Sequence, residues 1–105
     1  MEIRVQRDGR TTIVRVTGSC DMRCHTQLRE RLLELETDDA EHIVIDLSDL
    51  TFIDSVGLKV LIGAWKRSRH GRHRFSVRLG VSGQVRRVFE LTGLDRVMPL
   101  EQVGS

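Results

Sequence analysis

Ser55 is the residue of this chain whose position suggests the most specific chemistry. It follows Asp54 where an apolar strand pattern and a short acidic loop change to a helical pattern, within the run IVIDLSDLTFIDSVGLKVLIG at residues 43–63. A helix N-terminus offers free backbone N–H groups and the positive end of the helix dipole, so a phosphate on Ser55 would be tolerated there. The simpler interpretation is helix capping. Asp54 alone can cap the helix, which would leave Ser55 as its first residue with a free hydroxyl.

Gly57 and three aspartates lie close to Ser55 in sequence. Glycine costs about 1 kcal/mol in a helix relative to alanine, and we interpret Gly57 as a place where a partner approaches the backbone closely. Asp46, Asp49 and Asp54 could form the paired carboxylates of a hydrolase. The motif, however, contains no histidine base and no glycine-rich loop for a phosphate. Turn and capping chemistry is the simpler interpretation of the aspartates.

Cys20, Cys24 and His25 form a second group of reactive residue types. A metal site would need a third or fourth ligand at fitting spacing, and the other histidines are distant in sequence. The N-terminus lacks a secretory apolar segment, which favours reduced thiols and a cytoplasmic location. We therefore expect Cys20 to be a core thiol and Cys24 a small residue in the first helical turn, with no metal or cofactor.

The densest run of basic residues extends from Lys66 to Arg74. Cations at the end of a helix complement its dipole, which is the simpler interpretation, and a surface that attracts an acidic partner is the alternative. Nucleic-acid binding is not expected, because the net charge is only +2 and few aromatic residues accompany the basic ones. No apolar run approaches the length of a membrane span.

The 105 residues are predicted to form one domain, residues 1–105, of the α/β class. Asp8-Gly9 predicts a hairpin turn, with Gly18 ending the second strand. The predicted strands are 2–7, 11–17, 42–47, 75–79 and a short one at 97–99, and the predicted helices are 23–36, 55–69 and 83–92. This order predicts a mixed sheet of four or five strands that opens with an antiparallel hairpin and packs against helices.

The motif around Ser55 resembles the signature of STAS domains (sulfate transporter and anti-sigma factor antagonist), in particular the small bacterial anti-sigma factor antagonists. Gly18 and Asp21 are similar to the family's glycine and aspartate after the second strand. Residues 43–50 resemble its third strand and acidic exit, and residues 85–94 its closing helix with the Thr-Gly-Leu end. The resemblance thus extends over nearly the whole chain and implies a STAS fold.

Four places depart from the family pattern. Val56 stands where Ser or Thr is favoured, Lys59 where a glycine is usual, and Ser19 where an acidic residue is common. Cys24-His25 replaces the Thr-Ala pair that usually opens the first helix. The departures at Val56 and Lys59 lie at the expected phosphorylation and docking surface, so they bear on recognition by a kinase rather than on the fold.

The resemblance implies an anti-sigma factor antagonist without catalysis or cofactor of its own. Its unphosphorylated form would bind an anti-sigma factor, usually a serine kinase, and so release a sigma factor, until Ser55 is phosphorylated. The implied partner-binding residues are Asp21, Asp54, Ser55, Val56, Gly57 and Lys59. Two alternatives remain: a STAS adaptor of a transport or signalling complex that is never phosphorylated, and a small phosphoryl-transfer or hydrolytic enzyme.

Overall fold

Strands and helices alternate along the computed structural model, which describes residues 1–21, 23–37, 40–71 and 73–101. The elements in chain order are β1 (Glu2–Asp8), β2 (Thr11–Cys20), α1 (His25–Glu36), β3 (His42–Asp46), β4 (Leu50–Ile53), α2 (Ser55–His70), β5 (Arg74–Arg78), α3 (Gln84–Thr92), α4 (Leu94–Val97) and β6 (Leu100–Glu101). The described part of the chain thus contains every predicted helix and strand except the strand predicted at residues 97–99, and in addition β4, α4 and β6.

The strands form one mixed sheet that opens with the predicted antiparallel hairpin. Asp8 pairs with Thr11 at the turn, where Gly9 adopts a φ of +63°. The sheet continues in the order β1-β2-β3-β5-β6, with β3, β5 and β6 added in parallel, and β4 pairs separately with β2. The α/β class with a leading hairpin is therefore confirmed, although the sheet has six strands where four or five were predicted.

The end of β2 differs from the prediction, and the difference creates the place for β4. Gly18 does not end the strand, which continues to Cys20. The pairing register shifts between Gly18 and Ser19, and Gly18 has a φ of +90°, a conformation that favours glycine. Residues 11–15 of β2 pair with β3, whereas residues 18–20 pair with β4, where Cys20 lies opposite Ile53.

Two further boundaries were predicted wrongly. Helix α1 begins at His25 rather than at residue 23, and the final strand lies at Leu100–Glu101 rather than at residues 97–99. Residues 94–97 instead form the short helix α4. Gly93 is the left-handed C-cap of α3, as predicted, but it also begins this extra turn.

The core lies between the parallel strands and the apolar faces of the helices. Strand β3 is buried on both sides, since Ile43, Val44 and Ile45 are each at most 1% exposed. Helix α1 contributes the predicted Leu28, Leu32 and Leu35, whereas the predicted inner residues Val60, Trp65 and Val88 are only partly buried. None of the described helices is long and apolar enough to cross a membrane.

Helix α3 is fixed to β4 at its first residue. The side-chain oxygen of Gln84 accepts a hydrogen bond from the backbone N–H of Ile53 at 3.0 Å, and the Gln84 amide nitrogen donates to the Ile53 carbonyl, also at 3.0 Å. One side chain therefore satisfies both backbone groups of the last residue in β4. This contact holds the segment that leads directly into Asp54 and Ser55.

Candidate functional site

Ser55 is the first residue of α2, and Asp54 caps this helix as the sequence predicted. The Oδ1 atom of Asp54 accepts a hydrogen bond from the backbone N–H of Gly57 at 2.8 Å. The carbonyl of Asp54 accepts from the Leu58 N–H at 3.0 Å. Ser55 is exposed, and its hydroxyl has no hydrogen-bond partner among the described residues. The hydroxyl is thus not needed for capping and faces solvent.

His25 joins Asp54 through folding, which the sequence did not indicate. Its Nε2 atom lies 2.7 Å from Asp54 Oδ1, although the two residues are 29 positions apart. The Gly57 N–H holds the pKa of Asp54 below its usual value, against partial desolvation and with help from His25. The carboxylate is therefore ionised at neutral pH, and the histidine nitrogen donates to it. The motif itself contains no histidine, and folding brings one to it from the first residue of α1.

Asp21 lies beside Asp54 because the strands before them are paired. Cys20 ends β2 opposite Ile53, which ends β4, and each aspartate follows directly. Asp21 is exposed, and its Oδ1 atom accepts from the Arg23 N–H at 3.0 Å. Its carbonyl accepts from the Cys24 N–H at 3.0 Å, which shapes the turn into α1. The structure thus brings the two predicted aspartates to one end of the sheet.

Gly57 is explained by packing within the chain. A Cβ atom at this position would lie 2.8 Å from Ile53 Cγ1 and 3.0 Å from Cys20 Sγ, so a larger residue would force these buried groups apart. The glycine lets α2 approach the ends of β2 and β4. This contact accounts for the residue without the close approach of a partner that the sequence suggested.

The two cysteines are free thiols with different surroundings. Cys20 is fully buried, which confirms its prediction as a core thiol. Burial, followed by the nearby Cys24, Asp54 and Asp21, raises the pKa of the Cys20 thiol to about 11. Cys24 is half-buried at the N-cap of α1. In the described ranges, no group of three or more His, Cys, Asp or Glu residues could hold a metal ion.

Exposed apolar and charged side chains lie close to Ser55 along the chain. Phe52 and Val56 are 40% and 44% exposed, so both present apolar area to solvent. Lys59 is exposed on the next turn of α2. Phe52 was not among the predicted site residues. No signal in the sequence indicated it, because the four residues of β4 show no alternation: Leu50 and Ile53 are buried and the two residues between them are exposed.

Two residues of the remaining acidic and basic groups, Asp46 and Arg67, have structural partners. Asp46 is buried, and its Oδ1 accepts from the backbone N–H and the hydroxyl of Ser48 at 3.0 and 2.6 Å. Burial acts to raise the pKa of Asp46, but these hydrogen bonds and Arg15 outweigh it and lower the pKa. In the basic run, Arg67 forms two hydrogen bonds with Glu36 of α1. These contacts favour the turn and helix-end interpretations of both groups.

Comparison with known proteins agrees with the fold. The STAS domain family model matches residues 2–103. The chain therefore belongs to the STAS domain family. The anti-sigma F factor antagonist of Paenibacillus polymyxa is 30% identical over 101 residues, which cover 95% of this chain and 86% of that protein.

Solved structures give the same architecture. An anti-sigma factor antagonist from Mycobacterium paratuberculosis superposes with a TM-score of 0.85 at 31% identity, covering 94% of this chain and 83% of that one. The Bacillus cell fate determinant SpoIIAA, solved in a phosphorylated form, has a TM-score of 0.72 at 21% identity, covering 99% and 93%. At that identity the second likeness concerns the fold alone.

Proposed function

We propose that this protein is an anti-sigma factor antagonist that phosphorylation of Ser55 switches off. The observation that carries the proposal is the exposed Ser55 hydroxyl, which is the first side chain of α2 and is left free because Asp54 caps the helix. A kinase can reach such a hydroxyl without unfolding the helix. The relatives named anti-sigma factor antagonists, at 30–31% identity, supply the class of partner.

The surface around Ser55 fits a partner that buries apolar side chains next to a hydroxyl. Phe52 and Val56 supply exposed apolar area, and Lys59 and the ionised Asp54 supply charge. Apolar area removed from water contributes about 25 cal/mol per Å². In the proposed complex the neutral Ser55 hydroxyl and these apolar neighbours are covered together, and Asp21 forms the other border of the covered surface.

Phosphorylation would change this surface while leaving the fold intact. A phosphate adds about −1.5 to −2 charges, and the positive end of the α2 dipole favours a negative charge at this place. Asp54 already interacts with the backbone N–H groups of Gly57 and Val56, so the phosphate would depend on the Ser55 N–H and on the dipole. Covering such a dianion beside Asp54 costs several kcal/mol, so the partner would dissociate.

The proposed partner is a serine kinase that is itself the anti-sigma factor, acting in the cytoplasm. Catalysis and ATP would belong to that partner, so this chain would need neither a catalytic residue nor a cofactor.

One observation favours a second candidate, an adaptor that is not phosphorylated. The exposed Val56 places an apolar group where the family favours a hydroxyl, which enlarges a surface suited to permanent association.

Calorimetric binding to the anti-sigma factor from the same organism tests the proposal. We expect Ser55→Ala to bind like the unphosphorylated wild type and Ser55→Asp to bind at least about 100-fold more weakly, or about 2.7 kcal/mol. Gln6→Glu, which adds the same charge on the exposed strand β1, is the control and should bind normally. Incubation with the kinase and ATP, followed by mass spectrometry, should place one phosphate on Ser55. Equal binding of phosphorylated and unphosphorylated protein would leave only the adaptor candidate.

A further inference from the structure

The side chain of His25 connects two segments that the proposed function assigns to one surface. The first segment is the turn after β2, which carries Asp21 and leads into α1. The second is the start of α2, with Asp54 and Ser55. We infer that His25 is the positioning residue that holds these two segments in a fixed relation. This inference rests on the proposed function for its consequence in partner binding, but its structural part can be tested without a partner.

The hydrogen bond between His25 and Asp54 is placed where backbone pairing ends. The β2–β4 ladder ends at Cys20 and Ile53. Beyond that pair, in the part of the chain that the structure describes, the hydrogen bond of 2.7 Å from His25 Nε2 to Asp54 Oδ1 joins the two segments. Hydrogen bonds to a charged group are stronger than neutral ones, so this contact is well suited to hold two loops.

The same carboxylate oxygen serves both segments, which makes the connection rigid. Asp54 Oδ1 accepts from the Gly57 N–H at 2.8 Å and from His25 at 2.7 Å. The orientation of the carboxylate is therefore fixed from the helix side and from the α1 side together. The His25 side chain is only 12% exposed, so water competes little for this bond. A movement of Asp54 must move the start of α1, and the reverse also holds.

The connection depends on the residue type at position 25. The family pattern favours a Thr-Ala pair at positions 24 and 25, and an alanine side chain cannot donate a hydrogen bond to Asp54. His25 is the first residue of α1, so the tie also fixes where that helix begins relative to α2. A charge placed on Ser55, next to Asp54, should therefore alter the turn that carries Asp21. Phosphorylation would change both segments of the surface, although only one is modified.

Two substitutions of similar size separate the donor from the volume of the side chain. His25→Gln keeps an amide nitrogen at about the position of Nε2, whereas His25→Met has no donor. Amide chemical shifts are measured in wild type, His25→Gln and His25→Met, each with and without Ser55→Glu. We expect Ser55→Glu to shift the amides of Asp21, Arg23 and Cys24 in wild type and His25→Gln, and to shift them less than half as much in His25→Met. Equal shifts in all three backgrounds would overturn the inference.

Partner binding provides the second readout. His25→Met should bind the anti-sigma factor about 10-fold more weakly than wild type, a loss of about 1.4 kcal/mol in binding free energy. His25→Gln should bind within about twofold of wild type. His70→Met, at the exposed end of α2, is the control for the substitution itself. Equal affinities of wild type and His25→Met would overturn the positioning role. If His25→Met does not fold, His25→Asn replaces it, because its amide is too short to reach Asp54.

The two readouts distinguish failure of the inference from failure of the proposed function. If the wild type binds no anti-sigma factor, the proposed function is wrong and the role of His25 in partner binding is overturned with it. If Ser55→Glu then still shifts the amides of Asp21, Arg23 and Cys24 in wild type but much less in His25→Met, the structural connection between the two segments is established. If the wild type binds and Ser55→Asp releases the partner while His25→Met changes nothing, the proposed function stands and the inference alone is wrong.

Discussion

Two clusters in this chain contain a serine, a histidine and a carboxylate, and they use the serine in opposite ways. At the start of α2, His25 donates to Asp54 and the Ser55 hydroxyl is left exposed. Among β3, β5 and β6, the buried Ser76 hydroxyl lies between the other two groups. Its Oγ is 2.7 Å from Nε2 of His42 and donates to Glu101 Oε2 at 2.8 Å.

The difference shows that the serine's place in the network determines what it can do. Ser76 accepts from one neighbour and donates to the other, so its hydroxyl stabilises the packing of three strands and is not available to a partner. A nucleophilic serine would instead donate to the histidine, with the carboxylate on the far side of the ring. Neither cluster has that arrangement, which argues against the hydrolytic alternative at these two sites.

Removing each hydroxyl tests this contrast most strongly. Ser76→Ala leaves the His42 nitrogen and the Glu101 oxygen without their partner in a partly buried place, so we expect a loss of about 2 kcal/mol in the free energy of unfolding. Ser55→Ala should change it by less than about 0.5 kcal/mol, since Ser55 is exposed and its hydroxyl has no partner among the described residues. Urea denaturation of both variants measures the difference. Equal stabilities of the two variants would remove the basis for treating Ser76 as structural.

A methyl group at Gly57 tests whether packing within the chain fixes the start of α2. Gly57→Ala should lower the free energy of unfolding by about 1 kcal/mol, because the cost of displacing Ile53 and Cys20 exceeds the gain in helix propensity. Gly63→Ala, in the middle of the same helix, is the matched control. Its Cβ would meet only Nη1 of Arg67, at 3.3 Å, and this guanidinium can shift slightly while it keeps its pairing with Glu36, so the substitution should stabilise by about 0.5 kcal/mol. If Gly57→Ala stabilises the protein instead, the earlier interpretation, in which Gly57 lets a partner approach the backbone closely, is favoured.

The smallest expected difference between the two clusters is in the pH range over which each affects the free energy of unfolding. Burial lowers the pKa of His42, against the nearby Glu101, so the folded protein binds its proton less readily than the unfolded chain does. The contribution of His42 is therefore fully present above about pH 6.5 and is lost as pH falls below it. The lowered pKa of Asp54 has its effect at lower pH, as its carboxylate protonates. His42→Gln should flatten the decline just below pH 6.5, and an unchanged profile in that range would contradict this assignment.

The sequence predicted local features of the fold better than contacts between distant residues. The Asp8-Gly9 turn, the apolar run of β3 and the cap formed by Asp54 depend on neighbours in the chain, and all three are confirmed. Strand β4 was missed because four residues after a tight turn have no clear periodicity, and its existence depends on the irregularity at Gly18. The bond between His25 and Asp54 was missed because it exists only once two loops are folded side by side.

The Gln84 contact with Ile53 has a consequence for how other proteins can bind near Ser55. A strand at the edge of a sheet normally offers free N–H and C=O groups to which a strand from another chain can add. The Gln84 side chain occupies both groups of Ile53, at the end of β4 next to the serine. A partner cannot extend the sheet there by β-augmentation, and the same closure protects against aggregation through this edge. Recognition beside Ser55 must therefore use groups other than the Ile53 backbone, such as the side chains and amides at the start of α2, which a phosphate can alter.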